Sequence, residues 1–334
     1  MQHESEVSKM QLEDAVSKMQ LEDSVSKMQL AFKCNAFAGR KNSLDYAICA
    51  ISKAGFHSIG LVYDKPYLWH ERTSGKSLTV LGQMLFNKHL SVASVSSCTA
   101  SGYGRQDDDL TPPGQRFGPS FASRHLSERL TRIDHTKKVI DFACKMGCSF
   151  VDVSTGYQPP DLDFSMAWRF TRECLEEVCA YAKKNYVFIN IEYEPGTFGP
   201  GGLFVGSALS ALAMCEDVKS PVLGVNLDLI HAAVCGEDIP ATIRLLGNRL
   251  HVVEFDDMRS VVDEKGILRR KHEHIIPGEG ELAIQYPAIF QALTEIKFHG
   301  PVVVELYNHY DNNPDNACEQ SFKYLMTNFG SYFS

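Results

Sequence analysis

The segment V-F-I-N-I-E-Y-E-P, Val187 to Pro195, reads as a strand with two unlike faces. Side chains alternate along a strand, so Asn190, Glu192 and Glu194 share one face while Val187, Ile189 and Ile191 share the other. The apolar face needs helices to pack on, which turns the polar row toward the axis of a closed sheet. The same parity groups Asn226 with Asp228 in G-V-N-L-D and Glu254 with Asp256 in L-H-V-V-E-F-D-D, and it puts Glu305 near the end of V-V-V-E-L-Y. By that rule His251 falls opposite Glu254. Four successive strands each end in an inward carboxylate.

Working outward, β-rich runs recur near Ala31 to Phe37, His57 to Tyr63, Leu90 to Ser96, Ser149 to Ser154, Tyr186 to Glu194, Val222 to Asp228, Leu250 to Asp257 and Val302 to Tyr307. Helical spacing of apolar residues separates them at Leu44 to Ala54, Ile133 to Met146, Phe170 to Ala182, Ile239 to Leu246 and Tyr286 to Ile296. Gly55, Gly147, Gly247 and Gly300 follow helical stretches, where a left-handed cap is expected. This alternation predicts an α/β protein, a (β/α)8 TIM barrel over residues 31–334. Ahead of it, V-S-K-M-Q-L begins at Val7, Val16 and Val25. Residues 1–30 are therefore read as a repeat extension, mobile or weakly helical, with no chemistry of its own. Two long connections, Cys98 to Leu130 and Met258 to Ile284, follow strands and belong on the barrel face where such enzymes keep their active sites.

Bulk properties narrow the classes. A net charge of −8 without a long basic run argues against a nucleic-acid surface. No apolar stretch is long enough for a membrane span and the N-terminus carries no secretory h-region, so a cytoplasmic protein without a membrane partner is expected. The ten cysteines are scattered, no C-x-x-C occurs, and they read as reduced thiols packed like small apolar groups.

Buried carboxylates cost several kcal/mol each when uncompensated, and a divalent cation is the simplest compensation. Oxygen-rich sites favour hard ions, so Mn2+ or Mg2+ is expected, with Co2+ as a substitute.

In order, I-E-Y-E-P-G, N-L-D-L-I-H-A, H-V-V-E-F-D-D, H-E-H-I-I-P-G-E-G-E-L and V-V-V-E-L-Y resemble the sugar phosphate isomerase/epimerase barrels of the xylose-isomerase-like superfamily. The likeness spans roughly Ala31 to Leu325 and is strongest after Tyr186. It implies metal ligands at Glu194, Asp228, Glu254 and Glu305, with Glu194 and Glu305 as paired catalytic acid and base. It further implies substrate contacts from His231 in the D-x-x-H spacing and from His274, while Glu192, the weaker candidate for the first metal ligand, is assigned to the substrate. Arg259 is a candidate for a substrate phosphate. One departure stands out: Glu254 falls where the family carries a histidine ligand.

The resemblance implies a metal-dependent isomerase or epimerase that moves a carbon-bound proton through an enediolate, acting on a small carbohydrate; a homo-oligomer is compatible with it. Two alternatives stay open. A dehydratase of the inosose type would use the same enolate but expel a hydroxyl, and a non-catalytic barrel would keep the fold with an altered metal site. A nuclease with several zinc ions needs more histidines than these strand ends supply.

Overall fold

Eight parallel strands close on themselves in the order β1 (Gln29–Lys33), β2 (Ser58–Val62), β3 (Ser91–Ser97), β4 (Phe150–Val153), β5 (Phe188–Glu192), β6 (Leu223–Asp228), β7 (Leu250–Phe255) and β10 (Pro301–Val304), which pairs back to β1. A two-stranded antiparallel hairpin, β8 (Ser260–Val262) and β9 (Leu268–Arg270), lies between β7 and β10. The computed structural model describes residues 27–38, 43–64, 67–69, 73–98, 117–195, 203–262, 264–266, 268–270, 272–306 and 313–334. Most of the repeat extension, much of the Cys98–Leu130 connection and Tyr307 lie outside the described residues.

The (β/α)8 expectation holds. Helices α1 (Leu44–Ala54), α2 (Gly75–Asn87), α3 (Leu126–Lys145), α4 (Phe164–Lys184), α5 (Ala208–Val218), α6 (Leu229–Val234), α7 (Ile239–Leu246), α8 (Tyr286–Glu295) and α9 (Pro314–Phe329) are the described helices. Their inward residues join one apolar layer with the outward residues of the strands, among them Ile189, Ile191, Leu227 and Val304. Inside the barrel, Ala31, Ala93, Val252 and Val303 form a second, small apolar cluster. Such a filled interior is a plug, which confines chemistry to one mouth.

Sequence periodicity undercounts the helices. It gives α1 and α7 in full and finds parts of α3, α4 and α8, but leaves α2, α5, α6 and α9 unmarked. Among the expected caps, Gly55 (φ 107°), Gly147 (φ 70°) and Gly247 (φ 51°) are in the positive-φ region. Gly300 is not: Lys297 takes the left-handed position (φ 54°), and Gly300 is small because a Cβ there would strike the carbonyl of His251. Chain entry also differs slightly, since β1 begins at Gln29 and Met28 bridges to Phe333, which ties the first strand to the C-terminus.

Candidate metal and active site

Strict alternation places the predicted carboxylates at the barrel mouth. Glu192 and Asp228 end β5 and β6, Glu254 is the penultimate residue of β7, and Glu305 directly follows β10. One carboxylate oxygen from each of the four lies within 4.8 Å of all the others. Glu194, beyond the end of β5, stands outside this group of four, with its Oε1 3.8 Å from His231 Nε2. Both glutamates of I-E-Y-E thus reach the mouth, but Glu192 is the one that joins Asp228, Glu254 and Glu305.

A residue absent from the sequence reading lies among them. Lys33, the last residue of β1, is 2% exposed, and its Nζ stands 2.5 Å from Glu254 Oε1 and 3.0 Å from Glu305 Oε1. Asn226 Nδ2 donates to the same Glu254 oxygen at 2.9 Å, and Asn35 Nδ2 donates to the same Glu305 oxygen at 2.6 Å. Burial alone would lower the Lys33 pKa, but Glu254 and Glu305 outweigh it and hold the ammonium well above its ordinary value. Lys33 thus places a fixed positive charge inside the carboxylate cage.

One lysine does not balance the cluster. Burial drives Glu192, Glu194, Asp228 and Asp256 well above the usual carboxylate range, reinforced by repulsion from neighbouring carboxylates, Glu254 among them in each case. Glu254 is also raised, first by burial and then by Glu305. Glu305 goes the other way: burial pushes it up, yet Lys33 and the Glu254 hydrogen bond bring it below its ordinary value. These directions belong to the chain alone, and a bound cation would lower every one of the raised groups. Three buried oxygens, Glu192 Oε2, Asp228 Oδ2 and Glu254 Oε2, meet no hydrogen-bond donor among the described residues. Orphaned acceptors of this kind, in a donor set rich in carboxylates, fit a divalent ion.

Local structure fixes each group. Asp228 caps α6: its Oδ1 accepts from Ile230 N at 2.7 Å and His231 N at 3.1 Å, leaving Oδ2 turned to the mouth. The D-x-x-H spacing then returns His231 to the same side after one helical turn, where its Nε2 lies 3.5 Å from Asp228 Oδ2. Burial, with His272 and His274 adding to it, holds the His231 imidazole well below its usual pKa. Past β7, Asp257 gathers the G-E-G loop, its carboxylate accepting from the backbone N–H of Met258 (2.9 Å), Gly278 (3.1 Å), Gly280 (2.8 Å) and Leu282 (2.7 Å). A Cβ on Gly280 would run into Met258 O and the Asp257 carboxylate. This clamp delivers His274, whose Nδ1 lies 2.5 Å from Asp256 Oδ2 and 3.8 Å from Asp228 Oδ2.

His231, His272 and His274 present ring nitrogens within 4.8 Å of one another. Two of the three arrive on the loop after β7, so a count of strand-end histidines misses them. Arg259 is not brought to the mouth. Its side chain is 57% exposed and reaches toward Glu279, with Nη2 3.6 Å from Glu279 Oε2, while the next residue, Ser260, is held by the Glu281 carboxylate at the start of the outer hairpin.

His251 departs from simple parity. Leu250 pairs with Val225 and Val252 with Asn226, so the register slips and His251 is the extra residue. Its ring therefore also enters the barrel, where Nδ1 meets Asn190 Oδ1 at 2.8 Å and Asn190 Nδ2 donates to Asp152 at 2.8 Å. Gly224 leaves the space it needs, since a Cβ there would collide with the imidazole.

The profile of the xylose isomerase-like TIM barrels matches residues 48–327. The chain belongs to that family. Among family-like solved structures, D-allulose 3-epimerase from Methylomonas sp. in complex with D-allulose superposes with a TM-score of 0.69 at 14% identity, over 91% of this chain and 98% of that one. IolI protein with a bound zinc atom gives 0.70 at 20% identity, over 92% and 100%. A family 2 AP endonuclease from Brucella melitensis gives 0.66 at 17% identity, over 90% and 99%. No curated protein matches in sequence. At these identities the likeness shows the fold, and the xylose isomerase-like barrel encloses a carboxylate and histidine cluster able to hold a metal ion.

Proposed function

We propose that the protein is a divalent-metal-dependent isomerase or epimerase of a small carbohydrate. The observation that carries this reading is the convergence of Glu192, Asp228, Glu254 and Glu305 on one point of the mouth, with buried oxygens that no donor satisfies. A bound Mn2+, Mg2+ or Co2+, centred on Asp228, would supply Lewis acidity toward the hydroxyl and carbonyl oxygens of the sugar. Glu305 is the carboxylate held by Lys33 and Asn35 in a fixed orientation, suited to removing the proton next to the carbonyl. Glu194 is the partner that returns a proton, and His274 stands where a substrate hydroxyl would be met. The epimerases among the solved structures, one of them holding D-allulose, favour a ketose.

The test is proton exchange. Metal-loaded protein in deuterated water should incorporate deuterium at one carbon of a ketopentose or ketohexose, read by proton NMR. Glu305→Gln should slow this by about 10²-fold or more. Absence of exchange across the ketoses, in protein shown to hold its ion, would contradict the reading. Release of water from the substrate would instead assign a dehydratase.

Lys33 supports one second reading, a non-catalytic barrel in which the ammonium has taken over the neutralisation of Glu254 and Glu305. That reading predicts no stoichiometric metal.

A further inference from the structure

Nδ1 of His231 lies 2.9 Å from the backbone carbonyl oxygen of Tyr193. A carbonyl only accepts, so Nδ1 carries the proton and Nε2 presents a lone pair. That lone pair faces Asp228 Oδ2 at 3.5 Å and Glu194 Oε1 at 3.8 Å. One atom each from Glu192, Asp228 and His231 lies within 4.8 Å of the others, and Asp228 Oδ2 and Glu192 Oε2 have no donor among the described residues. In their ionised forms these carboxylates, like the imidazole lone pair, only accept, so their convergence favours a cation between them. On the other half of the cage only Glu254 Oε2 lacks a donor among the described residues, while Glu254 Oε1 and Glu305 Oε1 already receive Lys33, and each receives a second donor from Asn226 or Asn35.

We propose that the divalent ion sits on Asp228 Oδ2, His231 Nε2 and Glu192, displaced from the centre of the four carboxylates, while Lys33 serves as the resident cation of Glu254 and Glu305. The inference rests on the reading above that a divalent ion binds. Two atoms that bind one divalent ion stand roughly 3 Å apart, and His231 Nε2 and Asp228 Oδ2, 3.5 Å apart, are near enough to share one. The Tyr193 carbonyl then has the part of an outer partner that fixes the tautomer of a ligating imidazole. Glu254 at the usual histidine position is explained by the same arrangement: it pairs with Lys33, and His231 supplies the nitrogen. A nitrogen ligand shifts preference from Mg2+ toward Mn2+, Co2+ and Zn2+.

Pulsed EPR of wild-type protein loaded with Mn2+ tests this without a substitution. A coupling from one directly bound imidazole nitrogen is expected, lost in His231→Gln and retained in His274→Gln and Glu254→Gln. Calorimetric titration with Mn2+ should show His231→Gln weakening binding by at least about ten-fold, and Glu254→Gln changing it by less than about three-fold. Bound Mn2+ without nitrogen coupling, or a coupling that survives His231→Gln, would overturn the displaced site and leave the metal-dependent function standing. A wild-type protein that binds none of Mn2+, Mg2+, Co2+ and Zn2+ would overturn both.

Discussion

Lys33 Nζ and Glu254 Oε1 stand 2.5 Å apart inside the barrel, with 3% and 0% of their side chains exposed. Breaking such a pair by removing one partner leaves a charge without compensation. Lys33→Met is therefore expected to lower stability by about 3–5 kcal/mol in a chelating buffer. Added Mn2+ should recover more stability in the variant than in the wild type, since the carboxylates released from Lys33 become ligands. Thermal unfolding with and without metal checks both statements, and equal metal shifts in the two proteins would show that Lys33 does not compete for the cage.

The Asp257 carboxylate, with its four backbone donors, is expected to hold the loop that carries His274. At about 1.5–3 kcal/mol per hydrogen bond to a charged group, offset by water reaching the exposed ends, Asp257→Ala should cost at least about 2 kcal/mol. Gly280→Ala should give a similar loss through a clash with the same carboxylate and Met258 O. Chemical denaturation measures the loss, and amide exchange at residues 278–282 should accelerate in both variants.

Much of this was legible beforehand because two periodicities do most of the placing. Alternation in V-F-I-N-I-E and G-V-N-L-D put the carboxylates on the axis, and helical spacing found α1 and α7 without a tertiary contact. Lys33 carried the same signal, since Ala31 and Lys33 share a face in L-A-F-K, but a lysine in a strand is usually read as solvated. His251 escaped for another reason: the bulge that turns it inward comes from the register with Leu223–Asp228, and one strand's sequence does not contain its partner's register. His272 and His274 reach the mouth through contacts distant in sequence, the backbone bridge between Asp257 and Ile275 and the Asp257 carboxylate's hold on residues 278–282, which the sequence of the loop does not display.

His251 also gives a pH signature. Burial and then Arg249 lower its pKa to about 4, so the native barrel holds it neutral. Between the ordinary value near 6.5 and about 4 the unfolded chain binds a proton that the folded one refuses, so stability is fully present above about 6.5 and falls as the pH drops through this window. The full effect is about 3 kcal/mol. Denaturation from pH 7.5 to 4.5 should show this slope, and His251→Gln should flatten it; an unchanged slope would show that another group sets it.

The account as a whole stands on an ion at Asp228. Elemental analysis of protein purified without chelator tests it most directly, with Asp228→Asn alongside as the control. The account predicts about one divalent ion per chain in the wild type and little or none in the variant, whose capping Oδ1 an asparagine preserves. A folded wild type with no divalent ion, and no rise in Tm on adding Mn2+, Co2+ or Zn2+, would contradict it.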